Sequence, residues 1–267
     1  MSVKGMSISE FDAHLDQLGL RHGMHVAVHS RLLTFGRIEG GAAAVFEVLR
    51  ERVGEAGTLA FPTYTLNLGI EDVYDRMNTP SFAMGALSEY SRKQPGVQRT
   101  DCPMHGHTVI GVETDALLEA DHLHPMGPGS AFQAMRERDF HLLLLGCSFH
   151  EGATFIHHVE AMHGVPYREW LALPRSIYLE DGSIHKASCR YYGRKQDIPW
   201  TTDLRQFEES VSRDGLGARL SIRGRTSYLM PLTKLEDYVS KSLDRQPYAL
   251  MRRKPSIDTE LAVDNIA

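Results

Sequence analysis

The arrangement of residues 25–62 most constrains the fold. An apolar run, His25-Val-Ala-Val-His29, ends at Ser30, and a second, Gly57-Thr-Leu-Ala-Phe61, is closed by Pro62. Between them Gly40-Gly41 opens residues 42–53, whose apolar side chains recur at helical spacing. Strand, loop, helix and strand in that order form the unit that joins two parallel strands, because a parallel pair needs a long crossover. The chain is therefore expected to be α/β, with a parallel sheet at its centre.

The remaining elements follow from spacing and punctuation. Phe11, Leu15 and Leu18 predict a helix with Ser7 or Ser9 as N-cap, broken by Gly19. Residues 64–100 read as irregular, with turn signals at Asn78-Thr-Pro80 and Pro95-Gly96 and a short helix over 85–93. Residues 108–112 predict a strand and 114–121 a short helix, and Ser130 is placed to cap another helix. Residues 141–145, His-Leu-Leu-Leu-Leu, are the most strand-like run and stop at Gly146; residues 154–162 then read as a helix. After Pro174 the pattern changes: residues 176–179, Asp181-Gly182 and residues 184–191 predict a hairpin. The last seventy or so residues are polar, with a short helix near 232–243 and a loose tail.

Bulk properties exclude several classes of function. With 267 residues, 42% of them hydrophobic, the chain can build one large core. A formal net charge of −5 lacks the basic footprint of a nucleic-acid binder. The three cysteines, Cys102, Cys147 and Cys189, are scattered and odd in number, which fits a reducing compartment better than a disulfide framework. The N-terminal residues have no apolar leader segment, and no apolar run is long enough to span a bilayer. The expectation is a cytoplasmic protein with neither nucleic acid nor membrane as partner.

The densest chemistry lies at Thr154-Phe-Ile-His157-His158-Val-Glu160-Ala-Met-His163. On a helix His157 and Glu160 share a face, and a carboxylate one turn from an imidazole fixes its tautomer and supports its charge. That is a general-base pair, and its place after a strand end is where α/β sheets bind ligands. An ordinary surface pair has the same spacing. A zinc reading competes, but no two of these histidines stand four apart as in His-Glu-x-x-His, so no metal is called. Cys147 follows a strand as nucleophiles often do, yet Leu-Gly-Cys-Ser-Phe-His is not a nucleophile elbow, and a structural cysteine is the simpler reading. Gly40-Gly41 offers backbone amides to an anion without matching a phosphate-loop or dinucleotide motif.

Taken in order, seven segments resemble the aminoglycoside 3-N-acetyltransferase (antibiotic N-acetyltransferase) family: VHSRLLTFGRIEGG (28–41), GTLAFPTY (57–64), TPSFAMGALSEYSRKQPGVQRT (79–100), PMHGHTVIG (103–111), HPMGPGSAF (124–132), LLLLG (142–146) and TFIHHVE (154–160). The resemblance implies a three-layer α/β/α sandwich around a mixed, largely parallel sheet, with a variable C-terminal hairpin and helix region. It implies a single domain over residues 1–267, with a core at about 8–170, an acceptor-side extension at about 171–255 and a tail at 256–267. It implies acetyl-CoA or another acyl-CoA as co-substrate and a small-molecule amine as acceptor, and it leaves room for a homodimer. The family's catalytic His-x-x-Glu falls on His157 and Glu160. Its coenzyme-binding serine falls on Ser30 and its glycine pair on Gly40 and Gly41, while Ser81, Met84 and Gly85 lie in a loop near the coenzyme. Arg31 stands where the family commonly has a second serine. Cys102-Pro103 replaces its His-Pro, with Gly106 at the following serine position. Tyr64, His105 and Glu151 are taken as acceptor-side residues. Thr154 or backbone amides of residues 146–154 are taken as donors to the developing oxyanion.

The mechanism so implied is direct transfer from the thioester to the amine of an aminoglycoside or related amino sugar, with His157 removing the proton and Glu160 holding the ring. Acylation of a nucleotide-linked amino sugar is the alternative within the same chemistry. A coenzyme-binding sensor without activity is the alternative outside it.

Overall fold

The computed structural model describes residues 5–222 and 224–254. The expected loose tail at 256–267 lies outside the described residues. In chain order the elements are α1 (Ile8–Leu18), β1 (His25–Ser30), a 3-10 turn (Leu32–Phe35), α2 (Gly41–Val53), β2 (Thr58–Pro62), β3 (Val73–Tyr74), α3 (Gly85–Ser91), β4 (Gln98–Arg99), β5 (His107–Gly111), α4 (Thr114–Leu118), α5 (Ala131–Glu137), β6 (His141–Leu145), α6 (Phe149–Gly152) and α7 (Phe155–His163). There follow β7 (Arg168–Tyr178), β8 (Ile184–Arg194), β9 (Trp200–Thr202), α8 (Arg205–Arg213), β10 (Ala218–Ile222), β11 (Arg225–Pro231), α9 (Leu232–Arg245) and β12 (Met251–Arg253). No described helix is long and apolar enough to cross a membrane.

Among the described residues the main sheet has seven strands in the order β10-β11-β6-β1-β2-β5-β4. Its strands are apolar on both faces because helices cover both. Val26 and Val28 of β1 and Leu143 and Leu145 of β6 meet Phe11, Leu15 and Leu18 of α1 and Val45, Phe46 and Leu49 of α2. Ala27, Ala60, Leu142 and Leu144 point the other way, onto Phe132 of α5, Phe155 and Val159 of α7, and Leu235, Val239 and Leu243 of α9. The period of two along each strand sorts the side chains between the two layers. Local chemistry sets the helix ends. Ser7 and Glu10 form a capping box on α1, and Ser130 accepts from the Gln133 amide to start α5.

Two expectations need correction. The sheet is mixed, but only β6-β1-β2 are mutually parallel; β11 and β10 on one side and β5 and β4 on the other pair antiparallel, so it is not largely parallel. The sandwich also continues past residue 170, because β10 and β11 extend the sheet and α9 completes one layer. What stands apart is the long hairpin β7–β8, which with β3 forms a separate three-stranded sheet. The hairpin was expected over 176–191 and reaches from Arg168 to Arg194.

The three parallel strands end side by side at Ser30, Pro62 and Leu145, in register Ser30↔Leu145. At this edge the chain leaves the sheet in loops, and the site is built from them.

Candidate active site

A cavity of about 690 Å³ opens over the carboxyl ends of β1, β2 and β6. Ser30, Arg31, Gly41, Met84, Gly85 and Glu151, all singled out in the sequence, line it with Cys147, the cysteine read there as structural, and with His29, Leu32 and Arg37, which were not singled out. Its walls are mostly apolar with a few polar groups, and its size suits an extended small molecule. Glu151 was expected on the acceptor side; it lines this cavity and pairs with the Arg31 guanidinium. Arg37 is exposed and has no carboxylate within ion-pair distance among the described residues.

Gly40 and Gly41 have φ of 70° and 60°, values that disfavour any side chain. A Cβ on Gly40 would fall 2.6 Å from Ala44 Cβ, whereas one on Gly41 would meet nothing within 4 Å. The Gly41 amide, expected to be free for an anion, donates to Ile38 O at 3.0 Å. The pair therefore shapes the turn and leaves open space beside Gly41. Ser81 does not line the cavity; its hydroxyl and amide both donate to Glu89.

The predicted base pair forms on α7. His157 Nδ1 lies 2.6 Å from Glu160 Oε2. Glu160 is fully buried, while the His157 side chain keeps 30% of its surface exposed. No described residue bonds His157 Nε2, which leaves it open to a substrate. Tyr167 donates its hydroxyl to Glu160 Oε1 at 2.7 Å, and Arg168 Nε lies 2.8 Å from Oε2. Burial pushes the Glu160 carboxyl upward, but His157, Arg168 and Tyr167 outweigh it and hold it below the ordinary value. Neither Tyr167 nor Arg168 was singled out in the sequence. They reach Glu160 because Gly164 ends α7 in the left-handed conformation and turns the chain back.

The other histidines of the motif point elsewhere. His158 Nδ1 bonds Met126 O at 3.0 Å in the apolar layer, and His163 pairs with Asp244 of α9 at 3.0 Å. Burial pushes the Cys147 thiol up to about 12, which leaves it protonated and poor as a nucleophile.

Tyr64 packs behind the cavity wall. Its ring meets His29 of that wall edge-on at 6.3 Å and His105 at 5.0 Å, and its hydroxyl lies 3.4 Å from His107 Nε2. Thr154 stands one turn before His157. Tyr64 and His105, expected as substrate contacts, are both buried. Burial above all, with the Arg168 charge behind it, lowers His105 to about 3, so this ring is neutral. Of the loop amides, those of Gly146, Ser148, Phe149, Glu151, Gly152, Ala153 and Thr154 already have acceptors.

The aminoglycoside 3-N-acetyltransferase family profile matches residues 27–244. The chain belongs to this family. It is 30% identical over 258 residues to aminoglycoside N(3)-acetyltransferase VII of Streptomyces paromomycinus, covering 84% of this chain and 86% of that one. It is 28% identical over 188 residues to aminoglycoside N(3)-acetyltransferase III of a Salmonella species, and that match spans 64% of this chain and 65% of the relative's length. The fold is shared with the acetyltransferase AAC-IIIb, solved as a binary complex with CoASH, at a TM-score of 0.78 and 20% identity, covering 95% of this chain and 100% of that one.

Proposed function

We propose that the chain is an acyl-CoA-dependent N-acyltransferase, with acetyl-CoA as donor and the amine of an aminoglycoside or related amino sugar as acceptor. The observation that carries the reading is the 2.6 Å contact between His157 Nδ1 and the buried Glu160 carboxylate, in a half-exposed side chain whose Nε2 has no hydrogen-bond partner among the described residues. The family relationship and the CoASH-bound neighbour support the donor. The names of the relatives support the acceptor class.

In this reading the cavity at Ser30, Gly41, Met84 and Gly85 takes the pantetheine arm, with Arg31 and Arg37 at its phosphate end. An acceptor amine arrives protonated at neutral pH and must lose a proton to attack the thioester carbon. His157 Nε2 takes it, while Nδ1–H donates to Glu160; general-base help of this kind is worth roughly 10²–10⁴ in rate. Thr154 Oγ, one turn before His157, donates to the thioester oxygen as it gains charge. Transfer is direct, since the raised thiol of Cys147 suits no acyl-cysteine step.

A nucleotide-linked amino sugar is the second reading. It is favoured by the exposed Lys186, Arg190 and Arg194 of strand β8, none of which has a carboxylate within ion-pair distance among the described residues. Release of free CoA thiol, measured with kanamycin-like aminoglycosides, thymidine-diphosphate amino sugars and no acceptor, separates the two. His157→Ala should lower kcat at least a hundredfold and leave coenzyme affinity nearly intact, with Glu160→Gln costing less. Retention of more than about a tenth of the wild-type rate by His157→Ala would refute the base assignment.

A further inference from the structure

His157 Nδ1 has two neighbours, Glu160 Oε2 at 2.6 Å and Arg168 Nη2 at 3.0 Å. It cannot serve both, because a ring nitrogen carries either a proton or a lone pair. The shorter contact, to an ionised acceptor, takes Nδ1–H. Arg168 is then not the ring's hydrogen-bond donor. Its Nη1 donates to Tyr192 O at 3.2 Å, and its Nε lies 2.8 Å from Oε2 without the alignment of a hydrogen bond. The guanidinium thus supplies charge, and leaves Oε2 to accept from the imidazole. Both members of this ion pair are buried, so water screens it little.

We infer that Arg168 is a positioning residue: its buried guanidinium offsets the Glu160 charge, so the carboxylate orients the His157 ring without holding the proton that Nε2 must pass on. This rests on His157 being the base. A carboxylate alone would orient the ring but also stabilise the imidazolium, and an imidazole already holding a proton cannot accept one from the acceptor amine. With Arg168 present, the pair is neutral before proton transfer. The imidazolium formed afterwards faces a cation and sheds its proton readily.

No other described group near the ring changes this balance. On α7, His158 and His163 are bonded elsewhere. Ahead of β5, His105 is neutral. Tyr167 keeps its proton, since burial and the Glu160 charge push its phenol up. On β8, Arg194 lies opposite Arg168 and donates to Thr201.

The test is the titration of His157, followed by NMR of enzyme carrying ¹⁵N-labelled histidine without substrate, beside the pH profile of kcat/KM. In Arg168→Met the imidazole midpoint and the acid limb of the profile should both rise by about one pH unit or more, and Arg168→Lys should restore most of the difference. A midpoint unchanged in Arg168→Met overturns the inference. Should Arg168→Met fail to fold, Glu160→Gln carries the test: with the carboxylate gone and the guanidinium left, the midpoint should drop below the ordinary histidine value of about 6.5. A midpoint at or above it also overturns the inference. Full activity in His157→Ala would instead defeat the base assignment, whatever the titration shows.

Discussion

At the scale of single residues, the cavity separates Arg31, which the sequence singled out, from Arg37, which it did not. Arg31 is paired with Glu151, whereas Arg37 has no carboxylate partner among the described residues. If phosphates lie at this end, removing Arg37 deletes one attraction, while removing Arg31 also uncovers a carboxylate that faces the cavity. Arg37→Ala should raise the KM for acyl-CoA a few-fold and Arg31→Ala more, both effects shrinking as salt rises. Arg31→Ala with Glu151→Ala should recover part of the loss. A double variant no better than Arg31→Ala alone would show that Glu151 exerts no such effect. Gly41 makes a different prediction. Its φ of 60° means that Gly41→Ala should cost roughly 1 kcal/mol of stability. The added methyl meets nothing within 4 Å, so any rise in acyl-CoA KM reports contact with the coenzyme. A normal KM with lowered stability would confine Gly41 to its turn.

At the scale of elements, legibility followed burial. Strand β6 and helices α3, α7 and α9 were read within a few residues because each is a dense apolar run or a clean helical stripe. Strands β10 and β11 were not read. The edge strand β10 has no fully buried residue, and β11 is one apolar group, Tyr228-Leu-Met, behind polar residues. The early residues of β7 were missed because exposed and covered side chains alternate there irregularly. The His157–Glu160 pair was legible because both residues lie on one helix. Arg168 and Tyr167 were not, since only the reversal at Gly164 returns them to Glu160. Strand β6 also supports the site from below. Leu144 is fully buried in the layer with α7, and a Cβ on Gly152 would fall 2.8 Å from Leu144 Cδ2, so this side chain props the turn that carries Glu151. Leu144→Ala should therefore lower unfolding free energy by about 2–5 kcal/mol in urea titrations. A loss under about 1 kcal/mol would mean that the layers close over the gap.

At the scale of the whole molecule, the path from cavity to base pair runs through histidines that folding keeps neutral. Burial holds His29 down to about 4 and, with the nearby positive charges, His105 down to about 3; His107, beside Tyr64, is also lowered by burial. Neutral rings suit a site that must collect a proton, because each added charge here would oppose the imidazolium. They also make the fold sensitive to acid. In the unfolded chain these rings titrate near 6.5, so between that value and the folded values the unfolded state binds more protons. Stability from these groups is fully present above pH 6.5 and falls as the pH drops toward about 4, by up to about 1.4 kcal/mol per pH unit for each ring. Carboxylates held below their ordinary values, such as Glu160, add their loss only as the pH falls through the carboxylate range, so the window from 6.5 down to about 4.5 belongs to the histidines. Unfolding free energies from urea titrations at pH 7.5, 6.5, 5.5 and 4.5 should be level across the first interval and then decline. His29→Asn should flatten the decline by about one proton's worth, even if it lowers stability at every pH. Equal stability at pH 7.5 and 5 would mean that these histidines take up protons in the fold as easily as in the open chain, and the neutral path to His157 would be lost with that result.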